Sequence, residues 1–166
     1  MGPIRGLACL IAVAALFACD DGGGGPVTRS SARSGLGGRV AGVAATPSVQ
    51  VSEVGEATFR TPSKNIFCAL TDSAVRCDIV HKSWTPPPKP SDCELDWGFG
   101  LDIDGGAAGV TCAGDTVIGS AEDTLGYGKA YRSGSVRCDS ESSGLTCRDE
   151  RTGRGFTLAA ARYDIF

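Results

Sequence analysis

Cys68 and Cys77 have eight residues between them, as do Cys138 and Cys147, and two further cysteines, Cys93 and Cys112, fall in the stretch separating the pairs. Six cysteines within the last 110 or so residues form an even set, as a disulfide framework requires. Each equal-spaced pair brackets a turn. Thr71-Asp72-Ser73 and Ser140-Glu-Ser-Ser-Gly144 are turn-forming centres between short apolar flanks, so the flanks can pair as antiparallel strands with their two sulfurs face to face. The pairing expected is therefore Cys68–Cys77 and Cys138–Cys147, which leaves Cys93 with Cys112. On a chain-entropy argument such loops contribute together on the order of 8 kcal/mol, comparable to the whole stability of a small domain. An oxidising compartment follows. Zinc fits poorly, because no Cys-x-x-Cys pair is present and eight-residue gaps do not match the usual ligand pairs.

Between the cysteines the chain alternates short apolar stretches with Gly, Pro, Ser and Asp, which is β punctuation. Strands are expected at 57–60, 66–70, 74–79, 94–99, 109–112, 129–132, 136–139, 145–148 and 156–159. No segment of helical length has clean helical period, and residues 158–166 suit a helical turn or a strand equally. The fold class expected is all-β: a small disulfide-stapled antiparallel sheet or barrel-like domain over 56–166. Ala74-Val-Arg-Cys-Asp78 echoes Ser135-Val-Arg-Cys-Asp139, and Val110-Thr-Cys112 echoes Leu145-Thr-Cys147. The two echoes have different offsets, so shared strand chemistry explains them better than a tandem repeat.

The N-terminal third carries an address. Arg5 precedes the apolar run from Gly6 to Ala18, which as a helix would reach roughly 20 Å, too short for a hydrocarbon core of about 30 Å. Residues 1–18 are expected to be a signal peptide. The run ends Leu16-Phe17-Ala18-Cys19, which is similar to a bacterial lipobox, so Cys19 is the expected lipid acceptor. Two or more acyl chains on one cysteine hold firmly, at about 0.8 kcal/mol per buried methylene. Residues 19–55, rich in Gly, Ser and Arg, have no hydrophobic period. They are expected to act as a flexible tether reaching roughly 30 to 35 Å, with Arg29, Arg33 and Arg39 as solvated charges. The implied location is extracytoplasmic, lipid-anchored to the outer face of the cell membrane.

Charge limits the partners. From Glu56 onward twelve Lys and Arg face sixteen Asp and Glu, with no basic run, so nucleic acid is excluded. Catalytic sets are thin as well. His81, the one histidine, lies beside Lys82 and reads as an exposed loop residue, and the paired cysteines offer no thiolate nucleophile. Asp102 and Asp104 precede Gly105-Gly106 but lack the rest of a calcium loop and read as a polar turn. No metal and no cofactor are expected.

The string Phe59-Arg-Thr-Pro-Ser-Lys-Asn-Ile-Phe-Cys68, followed by Val75-Arg-Cys-Asp-Ile79, resembles the opening of a family of actinobacterial exported proteins and lipoproteins of unknown function. Trp84-Thr-Pro-Pro-Pro88, Cys93-Glu-Leu-Asp-Trp-Gly98, Cys112-Ala-Gly-Asp-Thr116, Tyr127-Gly128, Cys147-Arg148, Gly155-Phe-Thr-Leu158 and Tyr163-Asp-Ile-Phe166 are similar to its later signatures. The resemblance implies no activity. Lys64 and Arg154 stand where it implies Gly and His.

These features favour a non-enzymatic binding or interaction module of the envelope. Its expected partners are the membrane, through the lipid, and an envelope protein or glycan; the oligomeric state is not indicated. Candidate binding residues are Trp84, Asp96, Trp97, Asp115 and Tyr127. A small hydrolase using Asp96, Asp115 or His81 is one alternative and a purely structural envelope protein another. Trp84-Thr-Pro-Pro-Pro-Lys-Pro90 is expected to run as polyproline II, more as a stiff crossover with its Trp packed on the domain than as a ligand.

Overall fold

The computed structural model describes residues 49–166, and these form twelve strands and no helix. The proposed signal peptide, Cys19 and most of the proposed tether lie outside the described residues. The strands are β1 (Gln50–Glu53), β2 (Ala57–Arg60), β3 (Ile66–Leu70), β4 (Val75–Ile79), β5 (Asp96–Asp104) and β6 (Ala107–Ala113). They continue with β7 (Asp123–Thr124), β8 (Lys129–Ser133), β9 (Val136–Glu141), β10 (Gly144–Asp149), β11 (Gly155–Leu158) and β12 (Tyr163–Ile165). Two six-stranded sheets result, ordered β6-β5-β4-β3-β2-β7 and β1-β8-β9-β10-β11-β12. The all-β class holds, and its form is two open sheets enclosing one core.

Alternation sets the inner faces. In β4, Val75, Cys77 and Ile79 are buried inward while Arg76 points outward; in β9, Val136 and Cys138 face in and Arg137 faces out. Phe59, Leu101 and Ile103 from one sheet meet Leu145, Phe156 and Leu158 from the other, all of them fully buried. Tyr131 sets its ring edge-on to Phe59 at 5.4 Å. At roughly 25 cal/mol per Å² of apolar surface, such side chains contribute about 1.5 to 3 kcal/mol each.

The cysteines pair as expected: Cys68–Cys77, Cys93–Cys112 and Cys138–Cys147. The first and third join directly opposed residues of adjacent antiparallel strands, with Cα atoms 4.1 Å apart, which suits the closer of the two antiparallel pair types. Both are buried within the core. Cys93–Cys112 instead ties the segment before β5 to the edge strand β6, where Cys112 is exposed.

The sheets share one plan. Each is a five-stranded antiparallel meander, β2 to β6 or β8 to β12, with a sixth strand parallel to the first. Corresponding cysteines, Cys68 with Cys138 and Cys77 with Cys147, are 70 positions apart in both cases. The added strands are exchanged: β1 leads into the β2 meander but pairs with β8, while β7 leads into the β8 meander but pairs with β2. The sequence echo Val-Arg-Cys-Asp links β4 to β9, which are not corresponding strands, so it conceals this relation.

Two expectations change and one open alternative is decided. β1 lies before residue 56, inside the segment read as tether; all four of its residues are exposed, so it carries no inward period to reveal it. β5 extends past Phe99 to Asp104, so Asp102 and Asp104 sit in a strand, and the turn that follows is Gly105-Gly106. Residues 163–165 form the strand β12, the second of the two alternatives left open for this segment.

Candidate functional site

The five candidate binding residues do not converge. Trp84 lies against Tyr163 with ring centroids 4.5 Å apart, and its indole N–H donates to the Ala159 carbonyl at 2.9 Å. Lys82 stands 4.3 Å over the Trp84 ring and donates to the Gly98 carbonyl; burial holds its ammonium below the usual lysine range. The Trp97 indole donates to the Pro87 carbonyl at 2.9 Å. Gly98, at φ 82°, lies so close to Pro86 that an added Cβ would meet the ring at 2.5 Å. Both tryptophans therefore fasten the proline-rich crossover to the sheets.

Asp96 and Asp115 line one shallow depression of about 360 Å³ with Phe99 and Ile118. Asp115 is committed there. Arg76 donates to its carboxylate at 2.6 Å and keeps it below the usual carboxylate range, so it stays ionised and offers no proton. His81 is elsewhere, its backbone N–H and carbonyl both bonded to the Asn65 side chain at 2.8 and 2.9 Å.

Arg76 belongs to a constellation that sequence reasoning missed. Asp78 is fully buried on the outer side of β4 and accepts four hydrogen bonds. Two come from the Arg76 guanidinium at 3.0 Å, one from the Thr116 hydroxyl at 2.8 Å and one from the Val117 N–H at 2.9 Å. The Phe99 ring lies 5.4 Å from the same guanidinium. Burial works against the Arg76 charge, but its bonds to Asp78 and Asp115 raise its pKa above the ordinary arginine value. With every carboxylate oxygen engaged, this is a clasp that pins the segment after β6 over the sheet. Neighbouring Asp102, opposite Arg76 in register, is pushed above the usual carboxylate range by burial. Among the described residues no three His, Cys, Asp or Glu side chains converge as metal ligands.

A different concavity collects the landmark residues of the opening string. The β2–β3 turn (61–65), the β9–β10 turn (142–143) and the β11–β12 turn (159–162) meet around a groove of about 290 Å³. Thr61, Ser63, Asn65 and Ile66 supply one wall, and Glu141, Ser142 and Ser143 another. Ala159 to Ala161 form the third, and Tyr127, 45% exposed between two glycines, stands at the rim. The walls are rigidly held. Thr61 bonds Ser63 at 3.0 Å and receives the Ile66 N–H at 3.3 Å, Asn65 is occupied by His81, and Ser83 and Trp84 hold Ala160 and Ala159. Lys64 completes the turn at φ 56°, the left-handed region where glycine is at ease, which is the physical reason for the Gly implied at this position. Of the predicted residues only Tyr127 reaches this groove. The serines were missed because hydroxyls in turns read as turn chemistry.

What fold and site define together is an all-β, disulfide-bonded domain of an oxidising, extracytoplasmic environment, bearing a small polar groove. Residues 41–166 match a family of unknown function, DUF6636, and the chain belongs to that family. Comparison with curated proteins and with solved structures finds no match.

Proposed function

We propose that this protein is a lipid-anchored binding module of the cell envelope, tethered through Cys19 and presenting the three-turn groove to a partner outside the membrane. The observation that carries the reading is the composition of the groove. Its lining has several hydroxyls and one aromatic ring, and Glu141 is its single carboxyl group. Glycoside hydrolysis needs two carboxyls across a cleft, and nucleophilic catalysis needs a base beside its nucleophile. Neither set is among the lining residues, whereas a concave surface with a few placed polar groups and an aromatic edge is what ligand binding requires. In the depression holding Asp96 and Asp115, Arg76 pairs with Asp115 and lowers its pKa, so Asp115 is not the general acid that the hydrolase alternative needs.

Two measurements test this reading. Cys19→Ala should abolish palmitate labelling and release the chain from the membrane fraction; unchanged labelling would remove the anchor from the account. Amide chemical-shift mapping of the full chain against fractionated envelope glycans and peptides should move residues 61–66, 127 and 141–144. Shifts confined to other surfaces would show that the groove is not the binding site.

A further inference from the structure

From the chemistry of the same groove we infer that its ligand is a neutral saccharide unit, seated on the Tyr127 ring and hydrogen-bonded to the serine wall. The inference rests on the binding-module reading and narrows it. Tyr127 lies between Gly126 and Gly128, so no side chain of a sequence neighbour crowds its ring, and nearly half of its surface is open. A phenol ring in this setting offers an apolar face to the C–H face of a sugar and a hydroxyl at its edge. Ser142 and Ser143 are exposed across the groove, with Ser143 bonded to Glu141 at 3.2 Å. The Glu141 carboxylate and the Ser143 oxygen accept hydrogen bonds, and the Ser142 hydroxyl gives one as well, a set that matches the vicinal hydroxyls of a pyranose. The Glu141 carboxylate repels acidic sugars, which favours a neutral saccharide over an acidic one.

A second observation concerns the strand behind Tyr127. Ser140 is 1% exposed, and its hydroxyl has no hydrogen-bond partner among the described residues. It shares the inward side of β9 with Val136 and Cys138, one residue before Glu141, and its carbonyl accepts the Gly128 N–H at 2.8 Å. The backbone of β9 thus fixes Gly128, next to Tyr127, beside Glu141 of the groove wall. The groove volume of about 290 Å³ accommodates one monosaccharide residue of a longer chain.

The experiment is isothermal titration and saturation-transfer NMR of the full chain in detergent. The probes are a β-linked N-acetylhexosamine oligomer, an α-linked hexose oligomer, an acidic peptide and phosphatidylglycerol vesicles. Expected is saturable binding of at least one neutral oligomer. Tyr127→Ala should weaken it tenfold or more, and Tyr127→Phe less than threefold while confirming that the fold survives. Binding of the peptide or vesicles at the groove, with neither oligomer bound, would overturn the saccharide inference and leave the module standing. No groove shifts with any probe would overturn both. Oligomer binding that Tyr127→Ala leaves unchanged would overturn this site.

Discussion

The two meanders carry the same Val-Arg-Cys-Asp chemistry and use it differently. In the first, Arg76 and Asp78 lie under the segment 114–118, where Thr116 and Val117 complete the coordination of a carboxylate with no exposure. In the second, Arg137 and Asp139 make a similar pair at 2.5 Å, but about a fifth of each side chain remains open, and no loop bond to Asp139 accompanies it. A salt bridge is worth little at a surface, because water and salt screen it, and its loss is severe when one partner is left buried and unpaired. One covering loop thus converts a modest ion pair into a structural clasp.

That contrast can be broken most decisively at Asp78. Asp78→Ala should destabilise the domain by about 2 to 4 kcal/mol, since it unpairs the Thr116 hydroxyl and the Val117 N–H and removes one of the two carboxylates that Arg76 binds. Chemical denaturation measures it, and a loss near that of Asp139→Ala would show that the loop contributes nothing. Next come the disulfides, where the two meanders should agree. Replacing Cys68 and Cys77 by Ala, or Cys138 and Cys147 by Ala, should cost about 2 to 4 kcal/mol in either case, because the closed loops are of equal length. Unequal losses in denaturant titrations would mean that packing, not loop closure, dominates.

Smaller effects sharpen the comparison. The first turn of each meander holds a left-handed residue: Lys64 at φ 56° in one, Gly134 at φ 51° in the other. Lys64→Gly should stabilise by up to about 1 kcal/mol, read as a rise in Tm, because it removes a side chain from a conformation that only glycine adopts freely. Asp139→Ala should cost about 1 kcal/mol or less. Asp102 has no counterpart clasped in the same way. Burial raises its folded pKa, so the folded state holds its proton more tightly than the unfolded chain. Its stabilising contribution is then present in acid, below the ordinary aspartate value, and is lost as pH rises through the raised one. Asp102→Asn should therefore raise Tm near neutrality and change it little in acid; a uniform shift at all pH values would contradict the assignment.

Much of this architecture was legible. β2 and β3 fall at the residues expected, and the cysteine spacing carried the hairpin pairing, because equal gaps around a turn leave few other geometries. β1 and β7 were not legible: one is wholly exposed and the other has two residues, so neither carries a pattern of burial. β5 was read too short, since Gly98 and Gly100 interrupt its period; a bulge between Trp97 and Leu101 and the close approach of Pro86 to Gly98 account for the irregularity there. The candidate site was only partly legible. Trp84 and Trp97 looked like binding aromatics because composition cannot distinguish an indole that stacks on a ligand from one that fastens a loop. Asp78 was hidden in a strand whose alternation placed it outside, and only the tertiary fold put a roof over it.

The exchange of β1 and β7 has a consequence for biogenesis. A chain crossing a membrane N-terminus first delivers β1 to β6 while β8, the acceptor of β1, and β7, the flank of β2, are still on the other side. Neither half can close its own edge, and an unpaired edge is a template for aggregation. Completion of either sheet therefore waits for a strand supplied by the other half of the chain.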